Sequence, residues 1–172
     1  MLRLLGIGLL SAGCMGIGWT WKERLRKGLE ESYEVWRILK MFQSEIIYSR
    51  APLPEACLRI AGRVPEPYGE AFLEIHKEML VNRGTTFGEV WRRQMEGCAG
   101  KLVMPVEEKK RLLGFGSYVG FMDGQVQAQM LEQHIRRLEL SIERQEKEMV
   151  NKSRVIMSLS VMGGFMLAVI LI

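Results

Sequence analysis

An all-α fold is predicted: a helical bundle flanked by an N-terminal and a C-terminal transmembrane helix. Three observations predict it. The charge-free stretches Leu4–Trp21 and Val155–Ile172 each hold 18 residues, the lower edge of what crosses a hydrocarbon core of about 30 Å at about 1.5 Å per helical residue. Between them the chain carries nearly all the charge, and its apolar residues recur at steps of three, four and seven, the period of a helix face. No alternating apolar run is long enough for a convincing strand. The resulting organisation is a transmembrane helix at 4–21, a helical bundle at 22–152 and a second transmembrane helix at 153–172. A middle section of that length can build its own core.

The first segment resembles a secretory signal, with Arg3, an apolar run and Ser11-Ala12-Gly13-Cys14. Ser11 holds the place where a lipoprotein signal has Leu or a similar residue. The apolar run also continues through Ile17, and Trp19 and Trp21 suit an interfacial aromatic belt. An uncleaved anchor is therefore expected. The first bundle helix is expected from Lys22 to Ser49, with Leu25, Leu29, Trp36, Leu39 and Ile46 as its apolar stripe and Val35, Ile38 and Phe42 widening it. Pro52 and Pro54 stop it, because proline lacks an amide hydrogen and disfavours helix in the residue before it. Pro54 then suits the start of a short helix through Ala61, closed by Gly62.

A helix from Tyr68 to Asn82 follows, burying Phe72, Ile75 and Met79 and ending at Asn82 or Gly84. Thr86 and Glu89 have the spacing of a capping box, each side chain satisfying the other residue's free amide. Their helix carries Val90, Trp91 and Met95 and ends near Gly97 or Gly100. Pro105, Glu107 and Glu108 open the next helix, with acids favourably placed at the positive end of its dipole. It ends in the glycine-rich stretch from Gly114 to Gly120. From Phe121 onward, Ala128, Leu131, Ile135, Leu138, Ile142 and Met149 form a near-heptad seam. Helix is expected to run on through Lys152 into the membrane segment, a rod of about 75 Å for about 50 residues.

The formal net charge is +4, weak grounds for nucleic-acid binding, and none is expected. Its placement says more. Lys22, Arg24, Arg26 and Lys27 follow the first apolar stretch, while Lys147, Lys152 and Arg154 precede the second. Basic side chains beside a membrane helix are retained on the cytoplasmic side, and these outvote Arg3 and the terminal amine. The bundle is therefore expected in the cytoplasm, with membrane lipids as partners of the flanking cations.

Catalytic material is scarce. His76 and His134 each stand alone on a helix, without a His or Cys at metal-ligand spacing, so metal binding is not expected; His134, in a run of Gln and Arg, is expected to be a solvated side chain. Cys14, Cys57 and Cys98 form no C-x-x-C pair and read as reduced, small apolar residues. Gly114, Gly116 and Gly120 lack the preceding strand and following lysine of a phosphate-binding loop. Gly116 and Gly120 are instead assigned to close helix packing or a turn. Gly163 and Gly164 are assigned to packing against another membrane helix. Glu30-Glu31, Glu107-Glu108 and the charges of 132–148 read as solvated faces. No catalytic residue, cofactor or metal is expected, so the chain reads as non-enzymatic.

The order of several short stretches carries a family resemblance: Met1-Leu-Arg-Leu-Leu-Gly6, Glu45-Ile-Ile-Tyr48 before Pro52-Leu-Pro-Glu-Ala56, Arg63-Val-Pro65, and Gly116-Ser-Tyr-Val-Gly120 before Asp123 and Gln127. With the long C-terminal helix they resemble the stage III sporulation protein AB family over essentially the full length. Val119 stands where leucine is expected, and Gly124 replaces a polar helix former, which loosens the start of the long helix. The resemblance implies likeness to the helical cytoplasmic domain of type II secretion and type IV pilus inner-membrane platform proteins. It implies a platform in the mother-cell membrane facing the forespore, part of a secretion-like conduit required for sporulation. Other stage III conduit proteins and a cytoplasmic motor ATPase would be its partners, with self-association left open. The alternative is a membrane-tethered helical regulatory module binding lipid or a signalling partner. A membrane-bound hydrolase is disfavoured by the two isolated histidines.

Overall fold

Helix α1 runs unbroken from Leu2 to Ile47, so the change from apolar to charged residues at Trp21 and Lys22 falls inside one helix. The backbone hydrogen bonds of a helix are indifferent to what its side chains carry, and no proline interrupts them there. The helix expected to begin at Lys22 is therefore the continuation of one that starts at Leu2, and it ends at Ile47, just before the expected Ser49. The computed structural model describes the backbone of residues 2–49, 51–81, 84–120 and 124–171. Their side chains are described apart from 2–15, 17, 18, 124, 125 and scattered positions beyond 152. The remaining helices are α2 (Leu53–Ala61), α3 (Tyr68–Val81), α4 (Phe87–Gly100), α5 (Val106–Phe115), a 3-10 turn at Gly116–Tyr118, and α6 (Gly124–Leu171). No strand occurs among the described residues.

The local signals explain most boundaries. Pro52 caps α2, with Pro54 in its first turn and Gly62 at its end. The capping box of α4 is formed by both of its bonds. The Glu89 amide donates to Thr86 Oγ1 at 3.3 Å, and the Thr86 amide donates to Glu89 Oε2 at 3.0 Å. Pro105 caps α5. The alternative end of α3 at Asn82 and the start of α6 before Gly124 lie outside the described residues. Helix α6 has 48 residues, about 72 Å of rod.

On α1 the buried face is centred on Leu29, Val35, Ile38, Leu39 and Phe42, while Leu25, Trp36 and Ile46 are half-buried. The residues expected to widen the stripe thus supply its core. Ser32 is buried on the same face and donates to the Gly28 carbonyl at 3.0 Å. Around Phe42 and Trp91 gather Phe72, Phe87 and Phe115, with ring centroids 5.2 to 6.1 Å apart, the spacing of favourable tilted and edge contacts. On α6, Leu131, Ile135, Leu138 and Ile142 are buried as the seam requires.

Helices α1 and α6 form the main pair, and they are antiparallel. Trp21 to Leu29 share a groove with Gln145 to Lys152. Tyr33 and Trp36 meet Glu139, Ile142 and Glu143, and Lys40 shares a surface with Gln133 and Arg137. The first stretch of α1 and the last of α6 therefore leave the bundle at the same end. Among the described residues no helix is long and apolar enough to cross a membrane. Most side chains of 4–21 and many of 153–172, where the two spans are expected, lie outside the described residues.

Candidate functional site

The end of the bundle from which both terminal helices emerge has three walls. Helix α1 contributes Trp21, Arg24, Leu25 and Leu29, and α6 contributes Gln145, Glu148, Met149 and Lys152. The α4–α5 loop closes the third side with Val103 and Pro105. They enclose an open groove of about 500 Å³. The loop is held by a carboxylate: Glu31 Oε2 accepts from the amides of Val103 at 2.5 Å and Met104 at 2.7 Å. Lys109 Nζ donates to the Leu102 carbonyl at 2.7 Å. Bonds to an ionised partner are about twice as strong as neutral ones, so the loop is fixed to α1 by its backbone.

The six membrane-flanking cations all sit at this end and all are exposed, but they differ in their partners. Arg26 is 2.5 Å from Glu23 and 3.4 Å from Glu30. Its hydrogen bond holds the Glu23 carboxyl below the usual range, and that carboxylate raises Arg26 in turn. Lys152 lies 2.9 Å from Glu148 and, through that hydrogen bond, lowers its pKa. Lys22, Arg24, Lys27 and Arg154 have no ion-pair partner among the described residues. Exposed pairs of this kind contribute little to stability. The free cations are available to something outside the chain.

Three of the four assigned glycines have described surroundings, and these differ. Gly116 is buried with Trp91 against it; a Cβ there would lie 2.6 Å from Trp91 Cβ and Cγ. Gly120 has φ +97°, the left-handed region that glycine enters without the penalty a Cβ brings. A Cβ added at Gly163 would meet no atom within 4 Å, so nothing among the described residues packs on it. The surroundings of Gly164 lie outside the described residues.

Sequence reasoning missed three polar groups. Glu108, expected on a solvated face, is buried between α5 and α6. Its Oε1 accepts from Ser141 Oγ at 2.5 Å and from Gln145 Nε2 at 3.2 Å, and Oε2 lies 3.5 Å from Arg111 Nε. The signal was present, because Glu108, Leu112 and Phe115 fall at i, i+4 and i+7 on one face. His134 is half-buried against Phe115 and Tyr118, with Nε2 3.0 Å from the Arg111 carbonyl. Burial lowers its pKa below the ordinary 6.5. His76 is half-buried too, with Nδ1 2.7 Å from the Pro54 carbonyl. The solvated reading of His134 is corrected, and both rings reach a backbone carbonyl of a neighbouring helix, to which a ring N–H can donate.

The two described cysteines are poor nucleophiles. Cys57 and Cys98 are buried, and burial pushes their thiols up to about 12 and about 11, which suppresses the nucleophilic thiolate. Cys14 lies outside the described side chains. Among the described residues no three His, Cys, Asp or Glu side chains converge to hold a metal ion.

Comparison with known proteins follows the same lines. The profile of the family described as stage III sporulation protein AB matches residues 3–172. A solved structure of a stage III sporulation protein AB superposes with a TM-score of 0.65 at 19% identity, covering 72% of this chain and 97% of that one. At that identity the likeness bears on the fold. No curated protein matched the sequence.

Proposed function

From the premise that the chain belongs to the stage III sporulation protein AB family, and so to sporulation, we propose that it is a non-enzymatic platform held to a membrane by both ends. On this reading residues 4–21 and 153–172 enter the bilayer of the mother cell facing the forespore. The bundle stands on the cytoplasmic side, where its flanking lysines and arginines are retained. There it docks a cytoplasmic motor ATPase and assembles with other conduit proteins. One observation carries the reading: α1 and α6 pair antiparallel, so both apolar ends leave one end of the bundle. Helices leaving at opposite ends could not both enter one bilayer without folding back.

The test has two parts. Single cysteines introduced at exposed Tyr48, Arg92 and Arg137 in a background lacking Cys14, Cys57 and Cys98 are labelled in intact and opened cells. Labelling only after opening supports the cytoplasmic placement, and labelling in intact cells overturns it. The full chain in vesicles is then mixed with the candidate ATPase; absence of association there removes the docking role.

A further inference from the structure

We infer that the groove between α1, α6 and the α4–α5 loop is a binding site for an anionic phospholipid, whose phosphate lies between Arg24 and Lys152. The inference deepens the membrane reading above and rests on it. The groove, at about 500 Å³, falls within the roughly 300–1,000 Å³ of small-ligand sites. Its walls combine the two chemistries a phospholipid head presents. Leu25 and Met149, further from the bilayer than the two cations, are half-buried apolar surface for the carbons of a headgroup alcohol, and Arg24 with Lys152 supplies charge.

The charge count favours an anion. The charged side chains lining the groove are Arg24, Lys152 and Glu148, a net of one positive charge. Glu148 is bonded to Lys152 at 2.9 Å, whereas Arg24 has no ion-pair partner among the described residues. A planar guanidinium left free beside an apolar wall suits bidentate binding of phosphate oxygens. Around the mouth, the positive charge of Lys22, Arg26, Lys27 and Arg154 outnumbers the Glu23 and Glu30 carboxylates that flank Arg26. Trp21, exposed at the outer edge, supplies the amphipathic ring that prefers the headgroup level.

The depth also agrees. With Trp21 at the boundary of the hydrocarbon, Arg24 lies three residues further on, about 4.5 Å along the helix. The headgroup layer of one leaflet is about 5–7 Å thick. A lipid phosphate would thus meet Arg24 without leaving its normal depth, with the acyl chains descending past Trp21. A headgroup with hydroxyls, such as glycerol, would extend toward Gln145 at the inner end.

The experiment uses the full chain. In detergent micelles it is titrated with phosphatidylglycerol or phosphatidylcholine, and retained lipid is counted by native mass spectrometry. Each cation near an anionic lipid contributes about fivefold in affinity, less for Lys152 because Glu148 screens it. We expect phosphatidylglycerol to be retained about tenfold better, and R24A/K152A to abolish the preference. R92A/R137A, which removes as much charge from exposed sites elsewhere, should keep it. Equal retention of the two lipids, a persisting preference in R24A/K152A, or its loss in R92A/R137A would each overturn the proposal. So would displacement of the lipid by excess inorganic phosphate, which would assign the groove to a free anion. Insertion is read separately, by flotation with pure phosphatidylcholine vesicles and resistance to alkaline extraction. Insertion without lipid preference sinks the groove alone; failure to insert removes the tether and the groove together.

Discussion

Replacing Gly116 with alanine puts the centre of the bundle under a defined load. The backbone there is right-handed helical, φ −58° and ψ −24°, a region open to any L-residue, so the only obstacle is space. The added Cβ would lie 2.6 Å from Trp91 Cβ and Cγ and 2.7 Å from Cδ1. Carbon atoms in contact sit about 3.5–4.0 Å apart, so the indole must retreat by about 1 Å. It has nowhere to go. Trp91 is fully buried, with four phenylalanine rings at centroid distances of 5.2 to 5.7 Å. Its Nε1 also donates to the Leu112 carbonyl at 2.8 Å.

Overpacking of this kind costs about 1–3 kcal/mol, and a stretched hydrogen bond about 1 kcal/mol more. For a chain of this length that corresponds to a melting temperature lower by roughly 5–10 °C. Gly97 is the contrast. It lies inside α4 with nothing within 4 Å of a Cβ, so G97A should stabilise by about 0.5–1 kcal/mol. Both variants are melted as full chains in the same detergent, followed by far-ultraviolet circular dichroism and tryptophan emission. Opposite signs are expected. A G116A protein that melts at or above the wild-type temperature with unchanged emission would refute the close-packing argument.

Four further outcomes follow from the buried and capped groups. Glu108→Ala strands Ser141, Gln145 and Arg111 and should cost about 3 kcal/mol in chemical denaturation, whereas Glu108→Gln keeps an acceptor and should cost about 1 kcal/mol. Glu31→Ala frees the Val103 and Met104 amides and should cost about 2 kcal/mol; amide hydrogen exchange at those two positions should accelerate. Thr86→Ala breaks the capping box and should cost about 1 kcal/mol, with Thr86→Ser near wild type. Burial holds His134 below its ordinary pKa of 6.5, so the unfolded chain takes up a proton that the folded one resists. Stability is therefore full above about pH 6.5 and falls as pH drops through that value, levelling off below the folded pKa. His134→Gln should remove that part of the slope between pH 7.5 and 5.5, and an unchanged profile would refute it.

What could be read beforehand was whatever repeats or is chemically local. The seam of Leu131, Ile135, Leu138 and Ile142 repeats at helical steps, and all four are buried. The Thr86–Glu89 pair needs only three residues of spacing to find its two amides. Continuity of α1 was hidden because side-chain polarity changes at Lys22 while the backbone bonding does not. Glu108 was hidden for another reason: a carboxylate on an apolar face is tolerated only when other elements bring it partners. Those partners, Ser141 and Gln145, lie more than thirty residues away. The groove was beyond sequence reading altogether. Its cations were visible as flanking charge, but their convergence depends on the antiparallel register of α1 and α6 and on Glu31 holding the 103–104 loop.

Continuity and antiparallel pairing together decide how such a tether would behave. No proline lies between Trp19 and Ile47, or between Gly124 and Leu171, and both helices run unbroken there, so neither carries a proline kink where the bundle meets its ends. On the proposed placement the bundle could not swivel on its anchors as a domain on a flexible linker does. Movement imposed on α2, α3 or α4 would pass through the Phe42–Trp91 cluster into α1 and on to its end as tilt. Helix α6, packed along α1, would tilt with it. On the same proposal, a docked motor would act on the bilayer segments through that tilt. A lipid wedged between Arg24 and Lys152 would sit where the two rods converge, and its binding would resist their separation.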